Sequence, residues 1–170
     1  MQKRVILKKG KEESLRRFHP WIFSGAIAQI EGSPQEGDVV DVYTREGDWI
    51  AVGHIQVGSI AVRVLSFEKE PVDRAFWLKR LSVAFELRRS LNLTGRTDHN
   101  IYRLVHGEGD NLPGLVIDIY GRTAVIQAHS VGMHCDREVI ADALREVMGD
   151  SISGIYYKSE TTLPFKADLD

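Results

Sequence analysis

The stretch Gly107-Glu108-Gly109-Asp110-Asn111-Leu112-Pro113-Gly114-Leu115-Val116-Ile117-Asp118-Ile119-Tyr120-Gly121 decides the fold of the second half of the chain. Its first half is a cluster of turn-forming residues, and its second half is an apolar run typical of a β-strand. A nucleotide-binding loop runs from a strand directly into a helix, whereas here Pro113 and a β-branched run follow. The pattern therefore predicts a structural turn, formed by Gly107, Gly109, Asp110, Asn111, Pro113 and Gly114.

Three acids in this stretch, Glu108, Asp110 and Asp118, allow an alternative interpretation as an acid/base set. Aspartate and asparagine within a Gly/Pro cluster are more often turn formers that hydrogen-bond their own backbone. The sequence contains no Gly-x-Ser-x-Gly, no P-loop and no paired-carboxylate signature. We therefore expect these acids to be structural, and a small α+β enzyme or ligand-binding protein is the weakest of three functional hypotheses.

The segments around this stretch predict an α+β domain over residues 99–170. Gly121-Arg122 fits a two-residue type II′ hairpin, which takes glycine in its first central position. The arrangement is strand-strand-strand-helix-strand, with the turn between the first two strands and one helix packed on an antiparallel sheet. The expected elements are strands over 101–106, 115–120, 123–129 and 152–157 and a helix over 133–148. Residues 159–170 show no terminating element.

Residues 70–98 are expected to form a connecting helix. Asp73 is a good N-cap, the helix runs to about Leu91, and Gly95 suits its end because glycine takes the left-handed conformation easily. Apolar residues at helical spacing form one buried stripe, and basic residues decorate the rest. The stripe consists of Trp77, Leu81, Ala84 and Leu91 with Leu78 and Phe85 beside them, and the basic residues are Arg74, Lys79, Arg80, Arg88 and Arg89.

Residues 1–69 predict a small β-barrel, because several short apolar runs alternate with glycine turns. The expected strands cover 5–7, 21–23, 39–43, 49–55 and 60–65. The fold class is therefore a mainly β first part, followed by an α+β second part.

Composition places few limits on function. The chain has 170 residues, of which 43% are hydrophobic and 27% charged, as in soluble globular proteins. It has no apolar run long enough for a membrane span and no signal peptide, so we expect a cytoplasmic protein without a membrane partner. A single cysteine, Cys135, rules out an intramolecular disulfide.

Charge is distributed unevenly along the chain. Residues 1–17 contain seven basic and two acidic residues, a net charge of +5, which leaves −7 on the rest of the chain. Such a basic cluster is either a solvated face or a contact surface for an anion such as nucleic acid. The candidate RNA-binding residues are Lys8, Lys9, Lys11, Arg16, Arg17, His19 and Trp21. Trp21 is more readily interpreted as a core residue of the barrel than as a stacking platform.

The histidines and the cysteine give no metal or catalytic pattern. A site of His129, His134 and Cys135 can be drawn, but its spacing matches no common zinc pattern, so we expect no metal. No base or oxyanion site accompanies Cys135, and buried filler is the better interpretation of that side chain.

Three stretches resemble a known family. They are Leu7-Lys8-Lys9-Gly10-Lys11-Glu12, His19-Pro20-Trp21-Ile22-Phe23-Ser24-Gly25 and Tyr102-Arg103-Leu104-Val105-His106-Gly107-Glu108-Gly109-Asp110-Asn111-Leu112-Pro113-Gly114-Leu115. In this order they resemble the bacterial ribosomal large-subunit RNA methyltransferases of the type I (RlmI-like) family, which are SAM-dependent cytosine-5 enzymes acting on 23S rRNA. The resemblance implies an N-terminal PUA-type RNA-binding barrel, a central α+β domain and then a C-terminal Rossmann-like methyltransferase domain.

The family's SAM-binding segment and catalytic cysteine lie beyond Asp170, so the resemblance assigns neither to this chain, and Cys135 does not match the nucleophile. The family turn often has glycine where this chain has Asn111, a residue that tolerates the left-handed region.

The main hypothesis is the RNA-binding and linker portion of such a methyltransferase, with ribosomal RNA and its own C-terminal domain as partners. SAM is then the cofactor of the parent, and this chain alone binds no cofactor and transfers no methyl group. The alternative is a stand-alone RNA-binding or ribosome-associated adaptor. A homodimer is a further possibility for either.

Overall fold

The computed structural model describes residues 2–163. The chain forms two compact units, Met1–Pro71 and Val72–Asp170. The expected three-part division stays a prediction, and the helix that it assigns to a connection lies in the second unit. Among the helices of the described range, none has the length and apolarity that a membrane span needs. The expectation that residues 159–170 lack a terminating element extends beyond this range, because residues 164–170 lie outside it.

The first unit has six strands and one short helix: β1 (Arg4–Leu7), α1 (Glu13–Arg16), β2 (Trp21–Phe23), β3 (Ile27–Glu31), β4 (Val39–Tyr43), β5 (Trp49–Ile55) and β6 (Ile60–Ser66). The strands form one sheet in the order β2-β6-β5-β4-β1-β3, in which only β1 and β4 are parallel neighbours. The sheet curls into a half-barrel around an apolar core that α1 closes with Leu15. The core residues include Val5, Leu7, Leu15, Ile22, Val40, Val42, Ala51, Val62 and Val64.

Strand β3 is absent from the sequence-based prediction. It pairs antiparallel with β1, from Arg4 opposite Glu31 to Leu7 opposite Ile27. As an edge strand it has no regular alternation of buried and exposed residues, since Ala28, Gln29 and Ile30 are all exposed. Without that alternation the sequence carries no period-two signal for this strand.

The described part of the second unit has four strands and three α-helices: α2 (Arg74–Ser90), β7 (Ile101–His106), β8 (Leu115–Tyr120), β9 (Thr123–Ala128), α3 (Val131–Cys135), α4 (Arg137–Met148) and β10 (Gly154–Tyr157). Its sheet has the order β10-β9-β8-β7. Alternate residues of β8 and β9 are buried on one face, and α2 packs against α4. The buried strand residues are Leu115, Ile117, Ile119, Ala124, Ile126 and Ala128.

Two details of the predicted α+β sheet are wrong. Strand β10 runs parallel to β9, with Gly154 opposite Thr123, because a crossover through helices returns the chain in the same direction. The predicted helix over 133–148 is two helices, α3 and α4. They meet at Asp136, whose backbone (φ −87°, ψ 5°) departs from helical geometry.

Helix α2 begins as expected and ends differently. The carboxylate of Asp73 accepts hydrogen bonds from the N–H groups of Ala75 (2.9 Å) and Phe76 (3.1 Å), which is N-capping. Gly95 is left-handed as expected (φ 69°), but Asn92 (φ 55°) is the left-handed residue directly after the helix, and Leu91 is exposed rather than part of the buried stripe. Asparagine replaces glycine here because its short polar side chain tolerates this region.

The β8–β9 hairpin has a two-residue loop between the paired residues Tyr120 and Thr123. Gly121 has a positive φ (61°) and Arg122 does not, as a type II′ turn requires. Together the two sheets confirm the predicted fold class, a mainly β first part followed by an α+β second part.

Candidate nucleic-acid interface

The chain leaves α1 through a tight helix-ending turn. The N–H of Phe18 donates to the carbonyl of Leu15 (2.8 Å), and the N–H of His19 donates to that of Ser14 (3.0 Å). These are the two hydrogen bonds of a Schellman motif, in which the residue at the Phe18 position is left-handed. Phe18 has φ 61°, although glycine is usual there. The turn reverses the chain and sets His19 at the entrance of β2.

Strand β2 turns its aromatic residues away from the core. Ile22 is 2% exposed and packs inside the half-barrel, whereas Phe23 is 49% exposed and Trp21 is half-buried. Because successive side chains of a strand point to opposite faces, the burial of Ile22 places its two neighbours outside. The interpretation of Trp21 as a core residue is therefore wrong.

His19, Trp21 and Phe23 form an aromatic cluster on this outer face. The rings of His19 and Trp21 meet edge to face, with centroids 5.8 Å apart, and those of Trp21 and Phe23 do so at 6.4 Å. Nδ1 of His19 lies 3.2 Å from both the backbone nitrogen and the carbonyl oxygen of Trp21. The main chain therefore fixes the imidazole, and the cluster is ordered before any ligand arrives.

A cleft of about 340 Å³ brings cationic and aromatic groups together. Its lining residues include Lys11, Ser14, Trp21, Phe23 and Gly25. The ammonium of Lys8 donates a hydrogen bond of 2.8 Å to the carbonyl of Gly25 and so lies at the same end of the unit. A flat ring beside an ammonium group suits a nucleotide, whose base can stack while its phosphate contacts the cation.

The five cations of this region are all exposed: Lys8, Lys9, Lys11, Arg16 and Arg17. Within the part of the chain that the structure describes, none of them makes an ion pair. Glu12 and Glu13 offset part of their charge, and residues 8–17 keep a net charge of +3 from five cations and two acids. Positive charge that has no ion-pair partner among the described residues is available to an anionic ligand.

We call the group of Lys8, Lys9, Lys11, Arg16, Arg17, His19, Trp21 and Phe23 the basic-aromatic surface. Of the residues predicted from sequence, Lys11 and Trp21 line the cleft and His19 contacts Trp21. Lys9, Arg16 and Arg17 are exposed nearby in the chain but do not line it. The prediction omitted Phe23, although its spacing of two from Trp21 places both on one strand face.

Arg63 is a second residue near this surface that is missing from the predicted RNA-binding residues. It lies opposite Trp21 in the β2–β6 pairing and so shares its face of the sheet. The sequence held a signal for it, because Arg63 alternates with the buried Val62 and Val64. A cation in the polar position of an apolar strand is expected on the outer face.

In the second unit, the predicted turn residues lie around a 3₁₀ turn at Gly107–Asp110. Asn111 follows in the left-handed region (φ 56°, ψ 32°), and Gly114 has φ 90°. Leu112 and Pro113 are buried beneath the turn. The turn leads into strand β8, not into a helix, so no helix N-terminus faces a ligand.

Asp110 does more than shape this turn. Its carboxylate accepts two hydrogen bonds from the guanidinium of Arg88, at 2.5 and 2.8 Å, and one from the N–H of His106 at 2.6 Å. The side chains of Arg88 and Asp110 are only 10% and 5% exposed. Arg88 also donates through Nε to the carbonyl of Arg103 (3.0 Å). A buried bidentate ion pair therefore ties α2 to the turn and to β7.

The sequence-based prediction that Arg88 lies outside the buried stripe of α2 is wrong. Leu81, Ala84 and Arg88 follow one another at spacings of three and four, so Arg88 continues the buried stripe of α2. Burial of a cation on that stripe requires a buried anion, and Asp110 provides it.

His134 and Cys135 also differ from a simple packing role. Nδ1 of His134 lies 2.6 Å from the hydroxyl of Tyr157, and burial, together with the charge of Arg137, lowers the pKa of this imidazole. The prediction that the Cys135 side chain is buried in the core is wrong. Cys135 is exposed, because it lies on the outer side of α3. Among residues 2–163 no three histidine, cysteine or acidic side chains are grouped to hold a metal ion.

Comparison with known proteins agrees with this architecture. Residues 5–67 match the family model of the PUA-like domain. Over 171 residues the chain is 39% identical to ribosomal RNA large subunit methyltransferase I of Vibrio cholerae, and over 172 residues it is 40% identical to that of Erwinia tasmaniensis. The alignments cover 98% and 100% of this chain, but only 41% and 42% of those proteins.

Solved structures show the same fold at lower identity. A protein from Streptococcus mutans named as a SAM-dependent methyltransferase superposes with a TM-score of 0.79 at 18% identity, covering 94% of this chain and 41% of its own. A methyltransferase complexed with SAH gives a TM-score of 0.77 at 19% identity, and 40% of that protein is covered.

The resemblance seen in the sequence is thereby confirmed. Residues 5–67 are a PUA-like domain, and the chain is related along its whole length to about two-fifths of the ribosomal RNA large subunit methyltransferase I proteins.

Proposed function

We propose that this chain is the RNA-binding and positioning portion of a SAM-dependent methyltransferase that modifies a cytosine of large-subunit ribosomal RNA. The observation that carries the proposal is the basic-aromatic surface of the PUA-like domain. Its five cations have no ion-pair partner within the described residues, and its rings lie beside a cleft. Identity of about 39% to rRNA methyltransferases, over 98% of the chain, supports ribosomal RNA as the ligand.

The proposed interaction has an electrostatic and a stacking part. Lysine and arginine neutralise phosphates and release counterions, which makes the affinity depend steeply on salt. Single-stranded or splayed bases of RNA stack on exposed aromatic rings, and Trp21 and Phe23 offer such rings next to Lys11. The combination favours a loop or bulge over a regular duplex, because the bases of a duplex are already stacked.

The second unit has a supporting role in this proposal. Its buried ion pair joins α2, the central turn and β7 into one rigid body. A rigid unit after an RNA-binding domain can fix the orientation of a following catalytic domain. In the parent, that domain would bind SAM and supply the cysteine that attacks the cytosine ring. This chain would then bind RNA without transferring a methyl group.

Two measurements on the 170-residue chain test the proposal. Fluorescence anisotropy with fragments of large-subunit rRNA should show saturable binding that weakens as salt rises, since phosphate contacts dominate the affinity. Incubation with labelled SAM and rRNA should leave the label unincorporated. Absence of RNA binding would refute the binding role, and methyl transfer by this chain would refute the separation of binding from catalysis.

A further inference from the structure

The second unit contains a cleft of about 590 Å³ that the proposed function does not use. It is formed by the end of α2, the loop that follows, the β8–β9 hairpin and the turn after α4. Polar residues from these segments line it: Arg89, Thr94, Arg96, Asn100, Arg122 and Ser151. We call it the arginine cleft.

The charge of the arginine cleft has one sign. Three guanidinium groups line it, and no aspartate or glutamate is among its described lining residues. These arginines come from three separate segments, so the helical spacing of one surface helix does not explain their convergence. A concave site with three cations concentrates anions near its floor.

Arg122 is held in place by its backbone while its side chain stays available. Its carbonyl accepts hydrogen bonds from the N–H groups of Ser153 (2.7 Å) and Gly154 (3.3 Å). The N–H of Gly121 donates to the carbonyl of Asn100 (2.9 Å), which closes the hairpin against the cleft. Within residues 2–163 the guanidinium of Arg122 makes no ion pair or hydrogen bond.

The other two arginines have only exposed partners. Arg89 pairs with Glu86 at 2.8 Å, and Arg96 pairs with Asp98 at 2.5 Å, where both acids are more than half exposed. Exposed ion pairs of this kind add little to stability, so an incoming anion can replace the acid. Both guanidinium groups can therefore turn to a ligand at small cost.

Neutral hydrogen-bond donors complete the lining. Thr94, Asn100 and Ser151 offer hydroxyl and amide groups, and the ring of Tyr102 lies among them. Burial raises the pKa of the Tyr102 phenol, so it keeps its proton and is a donor at neutral pH. Guanidinium groups bind phosphate in a bidentate manner, and hydroxyl groups fill the remaining positions around its oxygens.

We propose that the arginine cleft binds a backbone phosphate of RNA and is a second RNA contact, separate from the basic-aromatic surface. This inference rests on the proposed function for the identity of the ligand. It assigns to the second unit a binding role in addition to its supporting one.

The test compares charge variants in the intact chain. Arg96→Ala with Arg122→Ala should weaken binding of an rRNA fragment about tenfold. The matched control is Arg145→Ala with Arg74→Ala, which removes two exposed arginines of the same unit that lie outside the cleft. The control should change the affinity less than twofold, and circular dichroism should show both variants folded.

Nuclear magnetic resonance of the wild-type chain gives a second readout. Titration with the same RNA should shift the Nε–H signals of Arg89, Arg96 and Arg122 together with backbone signals of residues 8–23. Shifts confined to residues 8–23 would overturn the second contact and leave the proposed function standing. No shift in either region would overturn both.

Discussion

The cations of the basic-aromatic surface and Arg88 of the second unit have the same kind of charge in opposite surroundings. Arg16 and Arg17 are exposed, and neither has an ion-pair partner among residues 2–163. Arg88 is 10% exposed and bound at both guanidinium ends to Asp110. A charge that is already neutralised inside the fold contributes to structure, whereas a charge left without a partner is available for a ligand.

The same difference separates the glycine-rich turn of the second unit from the basic segment of the first unit. The turn at Gly107–Asp110 binds an arginine of its own unit, so its acid is occupied. The segment from Lys8 to Phe23 directs its cations and rings outward. The glycine-rich turn is therefore the easier stretch to recognise in the sequence, but its role is structural. The proposed functional groups lie in the segment from Lys8 to Phe23, which has no comparable motif.

The largest expected effect comes from breaking the buried ion pair. Arg88→Met should lower the unfolding free energy of the second unit by about 3–5 kcal/mol, because Asp110 then keeps a buried charge without a partner. Chemical denaturation followed by circular dichroism measures this change.

Arg89→Met is the matched control for Arg88→Met. Arg89 is the next residue of α2 and pairs with Glu86 on the exposed side, so its loss should cost less than about 1 kcal/mol. Restoration of stability in the double variant Arg88→Met with Asp110→Leu would identify the unpaired charge as the cause. Equal losses for Arg88→Met and Arg89→Met would contradict the structural role.

The next effect concerns charge on the first unit. Replacement of Lys8, Lys9, Arg16 and Arg17 by alanine should weaken rRNA binding by about a hundredfold near physiological salt. It should also reduce the magnitude of the slope of log affinity against log salt concentration by about 3. Each lost phosphate contact removes about 0.7–0.9 from that slope. Anisotropy titrations at several salt concentrations give both values.

A control with the same charge change distinguishes this surface from general electrostatics. Replacement of Arg45, Lys69, Arg74 and Arg145, which are all exposed and lie outside both proposed sites, removes four cations as well. That variant should keep most of its affinity. If both variants lost affinity equally, net charge rather than the basic-aromatic surface would explain binding.

Stacking is expected to contribute less than charge. Trp21→Ala should weaken RNA binding about tenfold, since stacking of a base on an aromatic ring contributes roughly 1–3 kcal/mol. Because part of the Trp21 ring is buried, the first unit should also lose some stability, so the affinity is measured on the folded fraction. Ile22→Ala is the control, with a loss of about 2–5 kcal/mol of stability and unchanged affinity of the folded fraction. Unchanged affinity of Trp21→Ala would contradict the proposal that a base stacks on Trp21.

The sequence predicts much of the fold because periodic patterns determine it. The alternation in β8 and β9, the Asp73 cap and the Gly121 hairpin all follow from local rules. Strand β3 could not be predicted in this way, since an exposed edge strand has no alternation. The parallel direction of β10 could have been predicted, because parallel neighbouring strands are joined by a helical crossover and helices connect β9 to β10.

The candidate site was predictable in its charges but not in its geometry. The basic cluster is visible in the sequence, whereas the outward direction of Trp21 depends on which residue of β2 enters the core. The partner of Arg88 could not be predicted either, since Asp110 lies 22 residues away and meets it only through tertiary packing.

The smallest expected effect is a pH dependence from His134. Burial and the charge of Arg137 lower the pKa of its imidazole below the ordinary value of 6.5. The unfolded chain therefore binds a proton at a higher pH than the folded chain, and stability falls as pH decreases below about 6.5. His134→Gln should reduce this fall. An identical pH profile for wild type and His134→Gln would contradict the assignment.

Ultraviolet crosslinking tests the central claim most directly. The chain would be irradiated with a fragment of large-subunit rRNA, and the crosslinked peptides would be identified by mass spectrometry. We predict that peptides containing residues 8–23 carry RNA, with Trp21 or Phe23 as a crosslinked residue, and that the signal disappears in the variant lacking the four cations. Crosslinks confined to peptides outside residues 8–23 would contradict the assignment of the basic-aromatic surface as the RNA interface.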